Sequence, residues 1–403
     1  MQRVAILSMH TSPLAQPGVG DGGGMNVYVR ELVSSLASSG VQCTTYTRSW
    51  RDGLPEEIEV EPNHRVVHVR AGDIALPKED MLSVVDEFTD GVAWHLRHHG
   101  NADVLHANYW LSGLAGHRLK HELDLPLVTT FHTFARVKSL GGDAESPIRD
   151  TAELEIIGCA DAIMVSCIEE QSQFQSLYGT APGTIEVLAP GVERAFFSPG
   201  DRRGARHALG LGSGPILLFV GRIQPLKGLD VAIRTLAELG RPDAQLVVVG
   251  GASGVEGESE LARITALIAE LGLVGRVKFF APQPHHLLST FYRAADVVLV
   301  PSRSESFGLV ALEAAACGIP VVATAVGGLL NLIVDGKTGF LVPGRDVSGF
   351  VRYTRRLLDD SLLALSVGTA AAERAKMYSW RSAALKARSV YAELLARDLV
   401  ACN

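Results

Sequence analysis

Residues 4–29 read VAILSMHTSPLAQPGVGDGGGMNVYV. An apolar run gives way to a loop holding Gly18, Gly20, Gly22, Gly23 and Gly24, and then to VYVRELVSSLASSG, which has helical periodicity. A buried strand, a glycine-rich turn and a helix in that order open a doubly wound α/β domain. Unpaired N–H groups at the helix start can bind an anion. The missing Cβ atoms let that anion approach closely. The loop is longer than the short GxGxxG turn of a dinucleotide site. Read in isolation, an ordinary surface loop is the plainer alternative.

The same alternation runs outward along the chain. Apolar strands are expected near 4–8, 42–47, 65–70, 104–107, 127–131, 162–166 and 185–188. A second series is expected near 216–220, 245–250, 277–280, 297–300, 321–323 and 339–342. Many are unbroken Val/Ile/Leu runs, as expected for parallel strands covered on both faces. The Pro/Gly-rich, charged stretch 190–214 separates the two series. Two Rossmann-like domains follow, residues 1–195 and 196–377, facing a cleft. An amphipathic helix around 378–403, with Trp380, Ala384, Val390, Tyr391, Leu394 and Leu395 as its apolar face, is expected to pack back on the first domain.

Composition narrows the partners. The chain has 403 residues, enough for two cores of roughly 200 residues each. The net charge of −7 and the lack of a basic block argue against nucleic acid. No run reaches a membrane span, and the N-terminus turns polar too soon for a signal peptide, so a cytoplasmic protein is expected. Cys43, Cys159, Cys167, Cys317 and Cys402 form no CxxC pair and have no zinc-finger spacing, so they read as small buried apolar residues with neither disulfide nor metal.

Two further segments carry chemistry. FVGRIQPLKG, residues 219–228, places Arg222 and Lys227 at a strand end, a compact positive site suited to a diphosphate. PSRSESFGLVALEAAAC, residues 301–317, follows a buried strand and opens a helix. Glu305 and Glu313 are eight residues apart, about 80° around a helix, and N–H groups near Phe307, Gly308 and Leu309 can meet phosphate. The plainer readings are solvated loop charges, and capping serines followed by ordinary helix glutamates.

Together these segments resemble the family-4 retaining glycosyltransferases, from Val4 to about Val342. GRIQPLKG matches the family's donor-phosphate motif and SESFGLVALEA its two-glutamate motif. The opening segment is similar to the enzymes that glycosylate D-inositol 3-phosphate in mycothiol synthesis. HANYWLSG (106–113) and TFHTFARVK (130–138) also resemble sucrose-phosphate synthase-like enzymes. The resemblance implies the GT-B fold and a UDP-sugar donor, best matched by UDP-N-acetylglucosamine, with a small phosphorylated hydroxyl acceptor, best matched by 1D-myo-inositol 3-phosphate.

It also implies roles. Gly24, Arg222 and Lys227 would bind the donor diphosphate, Glu305 the transferred sugar and Glu313 the ribose. Gln283 would line the base pocket. His10, Gln16 and Pro17 would line the donor side of the glycine loop, and His132 would sit at the reacting centre. Lys78, Tyr109, Thr133 and Arg149 would surround the acceptor phosphate, with Asp21 and Asn26 near the polyol. GLAGHRLK (113–120) and TTFHTFARVKS (129–139) depart from the inositol-phosphate pattern, and placing Arg149 requires a gap after Lys138. No cofactor and no catalytic metal are expected, although magnesium is compatible with a diphosphate, and a homodimer is compatible with the family. The alternatives are transfer to a hexose phosphate, lipid, polysaccharide or natural product, and, from other classes, an NAD-dependent oxidoreductase or an exported binding protein. The oxidoreductase calls for GxGxxG after a strand, and the binding protein for a signal peptide.

Overall fold

The computed structural model describes every residue except 1, 19–21, 143–144, 255 and 403. The chain divides into two compact units. One comprises Met1–Ala15, Gly24–Gly191 and Trp380–Asn403; the other comprises Gln16–Gly23 and Val192–Ser379. Part of the glycine loop therefore clusters with the second unit, although it was expected within the continuous domain 1–195.

The first unit holds eight strands: β1 (Arg3–Leu7), β2 (Gln42–Arg48), β3 (Glu57–Glu61), β4 (His64–Val69), β5 (Val104–Asn108), β6 (Leu127–Thr130), β7 (Ala162–Val165) and β8 (Thr184–Val187). Their order is β3-β4-β2-β1-β5-β6-β7-β8. All pairs are parallel except β3–β4. The second unit holds β9 (Ile216–Val220), β10 (Gln245–Val249), β11 (Val277–Phe280), β12 (Val297–Val300), β13 (Val321–Thr324) and β14 (Phe340–Val342). These run parallel in the order β11-β10-β9-β12-β13-β14. The expected α/β class with two parallel sheets is what the structure shows. β3 was not expected. Its sequence EIEVE sits on the sheet edge with no residue buried, so it lacks an apolar run.

Close packing fixes the helices on the sheets. In the helix Trp110–Leu123, a Cβ on Gly116 would meet Leu127 Cδ1 at 2.7 Å and Ala107 Cβ at 3.2 Å. A larger residue there would push the helix off β5 and β6. The C-terminal helix Trp380–Leu394 buries Trp380, Ala384, Val390, Tyr391 and Leu394 in a core shared with Val4, Ile6, Leu32 and Leu36 of the first unit. Leu395, expected on that face, lies beyond the helix and is 49 % exposed.

The cysteines correct the sequence reading. Cys43, Cys167 and Cys317 are buried thiols outside any disulfide, but Cys159 and Cys402 are bonded as a disulfide with Cα atoms 4.8 Å apart. The two lie 243 residues apart in the chain, so no local spacing announces the pair.

In each sheet the chain starts at a central strand, builds to one side, then returns to build the other. The reversal falls between β1 and β5 in the first unit and between β9 and β12 in the second. Loops at the carboxyl ends of such a strand pair are where open α/β sheets bind ligands.

Candidate functional site

The loops at those two reversals contain most of the residues singled out in the sequence. In the second unit, Gly221–Gly228 follows β9 and Pro301–Gly308 follows β12. Gly228 has φ 74° and a Cβ there would meet Pro301 O at 2.2 Å, so this glycine lets the two loops touch. Arg303 N donates to Leu226 O at 2.9 Å. The Lys227 ammonium consequently donates to Glu305 Oε1 at 2.6 Å, and Ser302 Oγ donates to the same oxygen at 2.8 Å. Lys227 and Glu305 are 22 % and 16 % exposed, so the pair remains accessible to a ligand.

Glu313 lies deeper. His285 Nε2 lies 2.7 Å from its Oε1, and Tyr292 OH donates to Oε2 at 2.7 Å. Burial and the Glu313 carboxylate push the Tyr292 phenol far above its ordinary pKa, so it remains a donor. Glu305 and Glu313 therefore have different surroundings: one is held at the surface by a lysine, the other within the fold by a histidine and a tyrosine. Phe307 is buried, and Gly308, at φ 98°, precedes the helix Leu309–Ala316. Backbone N–H groups at that helix start have no intrahelical partner.

Gln16, Gly18 and Gly23 lie against residues of this same unit. Gln16 Nε2 donates to Pro282 O at 2.8 Å, and Gly18 N donates to Gly22 O at 2.8 Å. A Cβ on Gly23 would lie 3.5 Å from Arg222 Nε, so the loop backbone runs beside the guanidinium. Gln283 turns its amide onto Ala281 O at 2.8 Å. Gly24 opens the helix Gly24–Ser38 of the first unit. Asp21 lies outside the described residues.

In the first unit, Tyr109 follows β5 and His132 follows β6. Both are non-glycine residues at positive φ, 76° and 62°. Backbone strain of this kind concentrates at functional sites. Lys78 Nζ lies 4.8 Å from the Tyr109 ring centroid and Arg149 Cζ 5.1 Å from it, while the His10 ring is 4.4 Å away. Lys78, Tyr109, Thr133 and Arg149 therefore come together. Arg149 is buried and donates to Thr133 O at 2.7 Å, Thr133 Oγ1 at 3.1 Å, Glu145 Oε2 at 2.9 Å and Glu153 Oε1 at 2.8 Å. Its charge is thus shared with two carboxylates, and Lys138 also contacts Glu145. Lys78 has no ion pair among the described residues.

His132 Nε2 donates to Asn108 Oδ1 at 2.9 Å, and its ring meets Tyr28 edge-on with centroids 4.9 Å apart. Burial pushes its pKa down to about 3, with the nearby His106 imidazole as the lesser cause. It is a neutral imidazole at neutral pH. Asn26 uses its buried amide to donate to Thr11 Oγ1 at 2.7 Å and Ser12 O at 2.6 Å, which shapes the start of the glycine loop.

Sequence reading did not single out Ser302, His285, Tyr292, Gly327 or Gly328. A Cβ on Gly328 would meet Phe307 Cα at 2.4 Å, and Gly328 N donates to Glu305 O at 2.9 Å. Ser302, Gly327 and Gly328 support the Glu305–Phe307 loop, whereas His285 and Tyr292 hold Glu313. The pair GG at 327–328 was the available signal, but only the fold shows what lies beside it.

Comparison with known proteins is consistent with this geometry. Residues 22–196 match the family model "Glycosyltransferase Family 4" and residues 201–374 match "Glycosyl transferases group 1". The D-inositol 3-phosphate glycosyltransferase 2 of Catenulispora acidiphila is 42 % identical over 97 % of this chain and 94 % of its own. The D-inositol 3-phosphate glycosyltransferase of Corynebacterium diphtheriae is 40 % identical over 100 % of this chain and 97 % of its own. Among solved structures, a sucrose-phosphate synthase from Thermosynechococcus elongatus superposes with TM-score 0.93 at 32 % identity, covering 98 % of this chain and 100 % of its own. No helix among the described residues is long and apolar enough to cross a membrane.

Proposed function

This chain belongs to the family-4 glycosyltransferases, and from that premise we propose that it moves N-acetylglucosamine from UDP-N-acetylglucosamine onto the hydroxyl of 1D-myo-inositol 3-phosphate with retention of configuration. The observation that carries the donor half is the Lys227–Glu305 contact across the β9 and β12 loops. A cation there offsets the charge that grows on a leaving diphosphate, and a carboxylate beside it accepts hydrogen bonds from sugar hydroxyls. Arg222, beside the glycine loop, adds the second cation, and the start of the helix Leu309–Ala316 adds backbone donors. Glu313 completes the nucleotide end at the ribose, while Gln283 and its neighbours face the base.

The Lys78–Tyr109–Arg149–Thr133 cluster supports a phosphorylated acceptor. Lys78 supplies the unneutralised charge and Arg149 the directed N–H groups. Neutral His132 hydrogen-bonds without acting as an acid at neutral pH.

Glu305 is paired to Lys227 and Glu313 to a tyrosine and a histidine, so neither is offered as a nucleophile. We therefore favour transfer on one face of the sugar. The bond from the anomeric carbon to the diphosphate oxygen breaks as the acceptor oxygen bonds to that carbon, and the acceptor proton passes to the departing diphosphate. The chain contributes position and electrostatic stabilisation.

A second reading, transfer to a hexose phosphate, is favoured by the 0.93 TM-score to a sucrose-phosphate synthase. A crossed panel of nucleotide-sugar donors and phosphorylated acceptors, read by mass spectrometry, decides between them. A product one N-acetylhexosamine heavier than inositol phosphate, formed with UDP release, is expected. Turnover confined to a hexose phosphate would replace the first reading with the second.

A further inference from the structure

A second cluster of ligating side chains lies in the first unit, separate from the residues assigned to donor and acceptor. His117 and His121 are four residues apart on the helix Trp110–Leu123, a spacing that puts both on one face. Cys159 ends the helix Pro147–Cys159, and Cys402 lies in the C-terminal tail. One donor atom from each of the four lies within 4.8 Å of the other three. His121 Nε2 and Cys159 Sγ are 3.4 Å apart. We propose that, with its two cysteines as thiols, this cluster binds one zinc ion and thereby fastens the C-terminal tail to the first unit.

Two sulfurs and two imidazoles form a donor set that suits zinc above the hard cations. A tetrahedral zinc, with ligand bonds of about 2.0–2.3 Å, separates its donors by roughly 3.3–3.8 Å. The His121–Cys159 distance already falls in that range, and rotamer adjustments draw in the others. An outer carboxylate is also present: Glu155 Oε1 lies 3.1 Å from His117 Nδ1. A carboxylate on one ring nitrogen fixes the tautomer that leaves the other a lone pair for metal.

The placement of Cys402 has an independent cause. Asp161 Oδ1 accepts from Val400 N at 2.6 Å, and the buried Lys120 ammonium donates to Val400 O at 3.0 Å, Cys159 O at 2.7 Å and both Asp161 oxygens at 2.9 Å. This fully used ion pair pins the tail two residues before Cys402. Zinc with two thiolates is electrically neutral, so it adds no uncompensated charge beside that pair.

The disulfide and the zinc site are alternative states of the same two sulfurs. Reducing the disulfide takes two electrons, supplied by an added phosphine that is itself oxidised to the phosphine oxide, with water providing the oxygen and the two thiol protons. Zinc then replaces those two protons, which pass to solvent, and no electron moves in that step.

The test uses the full chain, reduced with a phosphine, stripped by a chelator and supplied with zinc or cobalt(II) without air. About one zinc per chain should survive desalting, and cobalt should show thiolate charge transfer with tetrahedral ligand-field bands. The variants C402S and H121A should lose the bound metal, and E155A should weaken it about 10–100-fold. The disulfide form should bind none. The cobalt spectrum of the unaltered chain stands even if one variant folds poorly. Zinc absent from the reduced chain, cobalt without a thiolate band, or metal retained undiminished by C402S/H121A would overturn the proposal.

Discussion

Lys227 and Glu305 lie 78 residues apart in sequence, yet their side chains meet at 2.6 Å because β9 and β12 are neighbours in the sheet. The pair brings together the two features expected of a donor site, a cation for the diphosphate and a carboxylate for the sugar. Lys227→Ala is expected to lower kcat/KM by about 10²–10³-fold, the usual effect of removing one preorganised donor from a developing anion. Arg222→Ala should abolish measurable turnover. Steady-state kinetics of both variants checks this, and near-normal turnover in Arg222→Ala would sink the donor assignment.

At the proposed acceptor cluster, Lys78→Ala and Arg149→Ala should separate binding from stability. Lys78 has no ion pair among the described residues, so its loss should raise the acceptor KM with little change in Tm. Arg149 is buried against Glu145 and the fully buried Glu153. Its removal should cost roughly 3–5 kcal/mol as well as acceptor affinity, because a buried carboxylate loses its partner. Equal Tm losses in the two variants would contradict this division. Denaturant titration beside acceptor kinetics provides the measurement.

His106 is buried between Tyr391 OH at 2.7 Å and Thr130 Oγ1 at 2.8 Å, and burial lowers its pKa to about 3. An unfolded histidine binds its proton near pH 6.5. Between about pH 6.5 and 3 the unfolded chain therefore holds more protons, and stability must fall as pH falls. Each such histidine contributes a slope of about 1.4 kcal/mol per pH unit over that window. His106→Gln should flatten the pH dependence of unfolding below pH 6.5 by that order, whatever it does to absolute stability. An unchanged slope in urea titrations from pH 4.5 to 7.5 would refute the role of burial at His106.

Gly328→Ala tests the loop under the proposed donor site. A Cβ there meets Phe307 Cα at 2.4 Å and Ser306 O at 2.5 Å, both backbone atoms. Relief requires moving the loop that carries Glu305. Weaker UDP binding by calorimetry is expected, by at least tenfold, with the fold retained by circular dichroism. Unchanged affinity would mean that the loop position does not matter to the donor.

Glu313 can be separated in the same way. Glu313→Ala strands the buried Tyr292 hydroxyl and should cost about 1–3 kcal/mol, whereas Glu313→Gln keeps an acceptor for it. If Glu313 binds the ribose, both variants should bind UDP more weakly. If only Glu313→Ala does so, its role is confined to packing.

The strand–helix alternation, the parallel class of both sheets and the three loop motifs were legible because each is a local pattern. Apolar runs specify buried strands, and glycine or charge at a strand end marks a candidate binding loop. The edge strand Glu57–Glu61 escaped because its burial is slight. The supports His285, Tyr292 and Gly328 escaped because their partners are distant in sequence, and Ser302, only three residues from Glu305, escaped because a serine in a loop announces no particular partner. The residues 4–29 that open the chain determined a strand, a glycine loop and a helix by their own chemistry. Tertiary structure alone decided that Gln16–Gly23 clusters with the second unit and that Lys78 and Arg149 flank one tyrosine. It also decided that Cys402 reaches Cys159. The physical reason is the same in each case: these contacts arise from sheet order and chain return, which bring together side chains that no short-range pattern relates.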